Sequence, residues 1–181
     1  MSEQDSVAGF LERLADGTPT PGGGAAAALT AATAAALLGM VSRVVSRRAA
    51  PPATPAEADE LRHRALALIA EDAHAYAEFV AARRSTSAGD VARDRALVRA
   101  TEAPLAVARV GDAILERCAA LATVASGPVR SDLDVAVTLA RAARNAACNT
   151  VRANTGDLRD RAEATRLEDE VDRLSRAESQ R

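Results

Sequence analysis

Asp72 is the side chain best placed for proton chemistry. At about 100° per residue, Leu61, Ala65, Leu68, Tyr76 and Phe79 fall on one side of a helix over 55–84, and Asp72 lies in the same arc. Glu71, His74 and Glu78 point elsewhere. A carboxylate on a buried arc needs a partner or takes up a proton, and such groups concentrate at functional sites. The same placement also fits a structural ion pair or a cap on the end of another helix. A second feature is backbone chemistry. Pro21-Gly22-Gly23-Gly24 stands directly before an apolar helix that carries no charge until Arg43. Consecutive glycines give up side-chain packing, so they suit a sharp turn or a close approach. At a helix start, bare N–H groups and the positive dipole end face whatever approaches.

Other groups have narrower prospects. Ser131-Asp132 reads as a helix start, where capping accounts for both residues without a ligand. Along the helix that follows, Arg141, Asn145, Asn149 and Arg152 share one face, with Arg144 at its margin. That face fits either a polar stripe lining a ligand or the solvated side of a bundle helix. His63 and His74 lie eleven residues apart on the exposed side of one helix with no third ligand near, which argues against a metal site and a catalytic triad. Cys118 and Cys148 stand apart from each other and suggest reduced thiols in a cytoplasm. Lysine is absent, which excludes a P-loop lysine, a Schiff-base lysine and pyridoxal-phosphate attachment. The glycine run follows no strand, so no dinucleotide fingerprint is present.

The elements that must position these groups are helices. About a quarter of the 181 residues are alanine and aromatic residues make up 2%, a composition that favours closely packed helices over strands. The pattern predicts an all-α, multihelical bundle in a single domain over 1–181. Its core is an Ala-rich helix ending near Arg47, whose stretch from Ala25 to about Val45 is apolar all round and so enclosed by others. A short helix over 6–15 precedes it. Thr54-Pro55-Ala56-Glu57 reads as a capping box opening the next helix, which runs to about Arg84. After a break over 85–89, Asp90 can cap a helix to about Ala122, kinked at Pro104. Ser126-Gly127-Pro128 is a turn, and Ser131 starts a helix to about Ala153. Residues 161–181 are densely charged around a thin seam of Leu167, Val171 and Leu174, which predicts a peripheral charged helix or tail.

A net charge of −2 with interspersed signs leaves no basic footprint for nucleic acid. Residues 22–42 have membrane-spanning length, but alanine, glycine, threonine and serine insert poorly, so a buried soluble helix is expected and no membrane partner. Glu3, Asp5 and Glu12 leave no basic-then-apolar leader pattern.

Pro21-Gly22-Gly23-Gly24 with the small-residue run ending Gly39-Met40-Val41 resembles the opening of the formiminotransferase-cyclodeaminase C-terminal domain family, which includes stand-alone methenyltetrahydrofolate cyclohydrolases. Glu71-Asp72-Ala73 with Ala75-Tyr76, Arg95 through Ala103-Pro104-Leu105, Ser131-Asp132 with Val135-Ala136, and Asn154 with Asp160 follow in the family's order, over roughly 8–160. The resemblance implies a folate one-carbon enzyme. It would hydrolyse 5,10-methenyltetrahydrofolate or cyclodeaminate 5-formiminotetrahydrofolate, with a tetrahydrofolate derivative as substrate, no cofactor and a homodimeric state. On it, Asp72 is the catalytic candidate, as acid, base or counter-ion. Pro21, Gly22, Gly23, Gly24, Asp132 and Asn154 are the substrate-binding candidates.

Three segments depart from the family pattern. Thr150 stands where an asparagine is expected, with Asn149 one residue early. A lysine-rich, tyrosine-containing segment is replaced by Arg47-Arg48-Ala49-Ala50-Pro51-Pro52, and Arg83-Arg84-Ser85-Thr86 replaces a leucine-proline pair. These departures motivate a second reading, a non-catalytic dimeric helical protein of the same fold that binds a folate-like ligand or serves as a scaffold.

Overall fold

The computed structural model describes residues 6–47, 50–85 and 89–179, with the backbone alone for 177–179. Within them lie six helices: α1 Val7–Ala15, α2 Gly23–Ser46, α3 Pro55–Arg84, α4 Asp90–Ala122, α5 Pro128–Thr155 and α6 Arg161–Ser179. The fold class is all-α, with no strand among the described residues. Arg48, Ala49 and Thr86, from the segments that depart from the family pattern, lie outside the described residues, as do Glu3 and Asp5.

Local chemistry sets most of the boundaries. The Ser6 hydroxyl accepts from the Gly9 N–H at 3.1 Å and opens α1. The expected capping box at Thr54 and Glu57 is complete, with Pro55 in the first turn. The carboxyl of Glu57 is held below the usual glutamate range, first by the Thr54 backbone N–H. Two starts differ from the sequence expectation. Helix α5 begins at Pro128 rather than Ser131, because Gly127 takes a positive φ of 65° and Pro128 supplies a preset first turn. Ser131 therefore sits inside that turn, its hydroxyl donating to the Pro128 carbonyl at 2.7 Å, and is not a cap. Helix α4 is capped at Gly89, with Asp90 as its first residue.

Four long helices run alternately up and down. Gly39 of α2 meets Ala58 of α3, Arg99 of α4 reaches back to Glu78 of α3, and Gly111 of α4 lies against Ala140 and Arg144 of α5. At Gly111 a Cβ would come within 3.0 Å of the Arg144 side chain and 3.1 Å of the Ala140 carbonyl, so glycine sets how closely α4 and α5 approach. One core runs from Phe10 through Ala28, Leu38, Leu68, Leu105, Ile114, Leu133 and Val151 to Val171.

Two expectations need correction. Helix α2 is not enclosed on all sides. Ala25, Ala28, Ala31, Ala35 and Leu38 are buried, but Thr33, Ala36 and Met40 are exposed. Helix α6 is more than a charged fringe. Ala164, Leu167 and Val171 are fully buried, and the Arg109 guanidinium grips Glu170 through two bonds at 2.6 and 2.7 Å. Helix α2 has the length and composition of a membrane span, with a mean hydropathy of 1.8 over its most apolar stretch. Much of that apolar surface is spent on α3, α4 and α5.

Candidate functional site

Asp72 sits on α3 opposite the first turn of α2. The Ala25 N–H donates to its carboxylate. Gly24 is pressed so closely against it that a Cβ there would stand 2.6 Å from Asp72 Cγ. The triple glycine thus does what consecutive glycines suit: at Gly24 it removes a side chain from the space that a carboxylate occupies. The carboxylate in turn meets the positive end of the α2 dipole and a donor that has no intrahelical acceptor. Asp72 is therefore a cap on another helix, one of the uses its buried phase allowed. Burial nevertheless dominates its electrostatics. Loss of water raises its pKa above the ordinary aspartate value, and the Ala25 N–H offsets this only in part. An aspartate with one strong donor and little water can hold or release a proton closer to neutrality than a solvated one.

Beside Asp72, a cleft of about 220 Å³ is lined by Phe10 and Arg13 of α1, Thr20 and Pro21 of the corner, and Ile69, Ala70 and Ala73 of α3. Pro21 and Gly22 are half-buried there, while Gly23 is exposed, with nothing within 4 Å of where a Cβ would stand. On the other side of α3, Glu71 and Ala75 face a second cleft of about 310 Å³ against α4, lined also by Arg64, Arg99, Glu102 and Arg109. Its charges are mutually paired: Arg64 with Glu71, Arg99 with Glu78, and Arg109 with Glu170.

Asn154 lies at the same end of the bundle. Val44 and Val45 of α2 share a cleft with Val129 of α5. Counting about 21 residues back along α2 and the same number on along α5 places Gly24 level with Thr150, one turn from Asn154. The Asn154 side chain is half-buried, and its carbonyl accepts from Asp157 N–H at 3.1 Å in the turn after α5. Asp132 lies at the opposite end of α5, roughly 30 Å from Asn154 at 1.5 Å per residue. Within one chain the fold brings together Asp72 and the 21–24 corner, puts Asn154 on their level, and keeps Asp132 apart.

The polar stripe on α5 divides. Arg141, Asn145, Asn149 and Arg152 are exposed, whereas Arg144 is completely buried and pairs with Asp112 across the α4–α5 contact at 3.3 Å. The arc on α3 also opens toward its C-terminal half, where Tyr76 is 37% exposed and Phe79 half-buried. Sequence reasoning missed Arg13 and Phe10 as walls of the cleft. Phe10, one of two phenylalanines in the chain, was the available signal, since an aromatic residue in so short a helix needs a partner surface.

A sequence profile described as formiminotransferase-cyclodeaminase matches residues 6–173. A search of curated protein sequences gives no significant match. Among solved structures, formiminotetrahydrofolate cyclodeaminase from Thermotoga maritima superposes with a TM-score of 0.85 at 24% identity, over 97% of this chain and 90% of that one. The likeness to that protein is one of fold. On the profile match, which covers most of its length, the chain belongs to the formiminotransferase-cyclodeaminase family.

Proposed function

We propose that the protein is a folate one-carbon enzyme that hydrolyses 5,10-methenyltetrahydrofolate to 10-formyltetrahydrofolate or cyclodeaminates 5-formiminotetrahydrofolate. The observation that carries this reading is the Asp72 carboxylate, desolvated at the first turn of α2 with its pKa raised. Both reactions pass through a tetrahedral carbon between two nitrogens, so what they need is a group that moves protons. In the hydrolytic direction, Asp72 takes a proton from the water whose oxygen bonds to the amidinium carbon. It returns that proton to N5 as the carbon–N5 bond breaks, and the hydroxyl proton leaves to solvent as the formyl group forms. In the deaminating direction, N10 bonds to the formimino carbon and gives its proton to Asp72, and the bond from that carbon to the exocyclic nitrogen then breaks as the nitrogen takes the same proton and leaves as ammonia. The cationic methenyl substrate also gains from the Asp72 charge.

Gly22, Gly23 and Gly24 offer N–H groups to the pterin or to the carboxylates of the tail, with Pro21 shaping the corner and Asn154 orienting the ligand. Asp132 cannot join this group within one chain. The acid–base step calls for no cofactor besides the folate substrate, and the protein is proposed to work in the cytoplasm as a homodimer. Purified protein should consume methenyltetrahydrofolate, followed as loss of its near-ultraviolet absorbance. Asp72→Asn should slow that loss by about 100-fold or more, the usual share of a positioned acid–base group. Equal rates for parent and variant would remove the assignment.

The second reading, ligand binding without turnover, is favoured by Thr150 at the level of the corner, where the family pattern has an asparagine, and by Arg83 at the end of α3. Titration calorimetry with a tetrahydrofolate derivative separates the two. Heat of binding with no turnover supports a carrier or sensor, and neither signal supports a scaffold.

A further inference from the structure

We infer that the C-terminal turns of α3 hold the tail half of the substrate: Tyr76 stacks on its aminobenzoyl ring, and Arg83 pairs with its glutamate carboxylates. The assignment rests on the folate reading above, in either its catalytic or its binding form, and adds two specificity-determining residues to that site.

Helices α2 and α3 are antiparallel, since Gly39 lies against Ala58 and Gly24 against Asp72. Helix α2 begins at Gly23, so residues 73–84 of α3 run on beyond its start. At about 100° per residue, Tyr76, Phe79 and Arg83 all fall within roughly 40° of Asp72 and continue its line along that overhang. Tyr76 and Arg83 are exposed, Phe79 is half-buried, and Asp72 itself is only half-buried. The Tyr76 and Phe79 rings are tilted by 59° with centroids 6.2 Å apart. The Arg83 guanidinium stands over the Phe79 ring, 5.8 Å from its centroid. Phe79 thus supports both neighbours, edge to face on one side and through its π face on the other.

Three features point to a flat ring with an anionic tail. First, the chain has one tyrosine and two phenylalanines. Phe10 lies in the core and Phe79 packs against it, but Tyr76 is 37% exposed, and a ring with an open face gains by stacking on another. Second, among the described residues no carboxylate pairs with Arg83, whereas Glu78, the nearest acidic residue in sequence, is taken by Arg99. The Arg83 fork is therefore available to a carboxylate through two parallel N–H bonds. A basic residue in the last turn also suits the helix dipole, but Arg84 does that equally and points about 100° away. Third, the spacing fits. By ordinary bond lengths, the aminobenzoyl ring centre of a tetrahydrofolate lies about 4 Å from the reacting carbon, and the tail carboxylates about 10–13 Å from it. Along the axis, at about 1.5 Å per residue, Tyr76 stands about 6 Å and Phe79 about 10 Å beyond Asp72. Side chains lean toward the helix start, and the Arg83 guanidinium accordingly comes back over Phe79. A carbon held at Asp72 thus sets its ring at Tyr76 and its tail at Arg83. The cleft along Ile69, Ala70 and Ala73, on the other side of the reacting carbon, is left to the pterin.

Titration calorimetry with two probes tests the assignment: 5-formyltetrahydrofolate, and 5-formyltetrahydropteroate, which has the same rings and no glutamate. The parent should bind the first roughly tenfold or more tightly than the second, the worth of a charge-assisted pair. Arg83→Ala should weaken 5-formyltetrahydrofolate by that same factor, leave 5-formyltetrahydropteroate within about twofold, and so erase the preference. Arg84→Ala should keep it. Tyr76→Leu, which retains bulk without the ring, should weaken both probes alike by about threefold to tenfold, and Tyr76→Phe should restore the parent affinity. A misfolded variant would lose both probes, so the 5-formyltetrahydropteroate that Arg83→Ala still binds serves as its folding control. A parent with no preference, an Arg83→Ala protein that keeps it, or an Arg84→Ala protein that loses it equally overturns the tail assignment. Unchanged binding by Tyr76→Leu overturns the stack. In each of these cases the folate reading stands. A parent that binds neither probe overturns the folate reading, and the role of the stripe with it.

Discussion

At the scale of single residues, the pivot is the contact between Gly24 and Asp72. Adding one methyl at Gly24 drives it into the carboxylate, and overpacking of this kind costs about 1–3 kcal/mol. Gly24→Ala should therefore lower the urea midpoint substantially. Gly23→Ala, with open space around its Cβ, should stay within about 0.5 kcal/mol of the parent. Similar losses at the two positions would contradict the packing described. Asp72 also sets a pH dependence. Folding raises its pKa, so the native state binds its proton more tightly than the unfolded chain does. The stability this contributes is fully present below the ordinary aspartate pKa of about 4 and is lost as pH rises through the raised native value. The stability of the parent relative to Asp72→Asn should accordingly fall with rising pH across that window and then level off. Denaturant titrations at several pH values read this directly, and a difference that grows with pH would mean the carboxylate is stabilised as an anion instead.

At the scale of elements, much was readable because the signals are local. Thr54, Pro55 and Glu57 announce the start of α3 through hydrogen bonds that span three residues. Ser6 does the same for α1. The start of α5 was placed three residues late because an acidic pair after a serine resembles a cap, while the backbone turn at Gly127 makes the actual one. Helix α6 shows the limit of reading charge. Its exposed faces carry the charges, yet Leu167 lies fully buried in a seam against the α4–α5 pair. Leu167→Ala should cost about 2–5 kcal/mol, the range for emptying a closed core site. A cost below 0.5 kcal/mol in a urea melt would show that α6 frays in solution.

At the scale of the whole molecule, alanine-rich helices bury little apolar area apiece, so the bundle gains from any further surface it can cover. A net charge of −2 offers little repulsion against pairing. If the protein works as the proposed homodimer, the melting temperature should rise with protein concentration, since mass action favours the folded pair. A melting temperature constant over a hundredfold range of concentration would indicate a monomer. The 30 Å between Asp132 and Asn154 belongs to this scale too. One chain cannot place both residues against one small ligand, whatever motif they share.

What the sequence determined by itself was periodic or local: six helices, the glycine corner, the phase that turns Asp72 inward, and the ordered motifs of the family. Such features depend on neighbours within about one helical turn, and these the chain spells out. Only the tertiary structure decided what stands opposite each face. It set Asp72 against the start of α2 and buried Arg144 on Asp112. It also left one side of the central helix open and tucked α6 into the core. The physical reason is that periodicity shows which residues share a surface, while the partner of that surface lies tens of residues away and is chosen by packing.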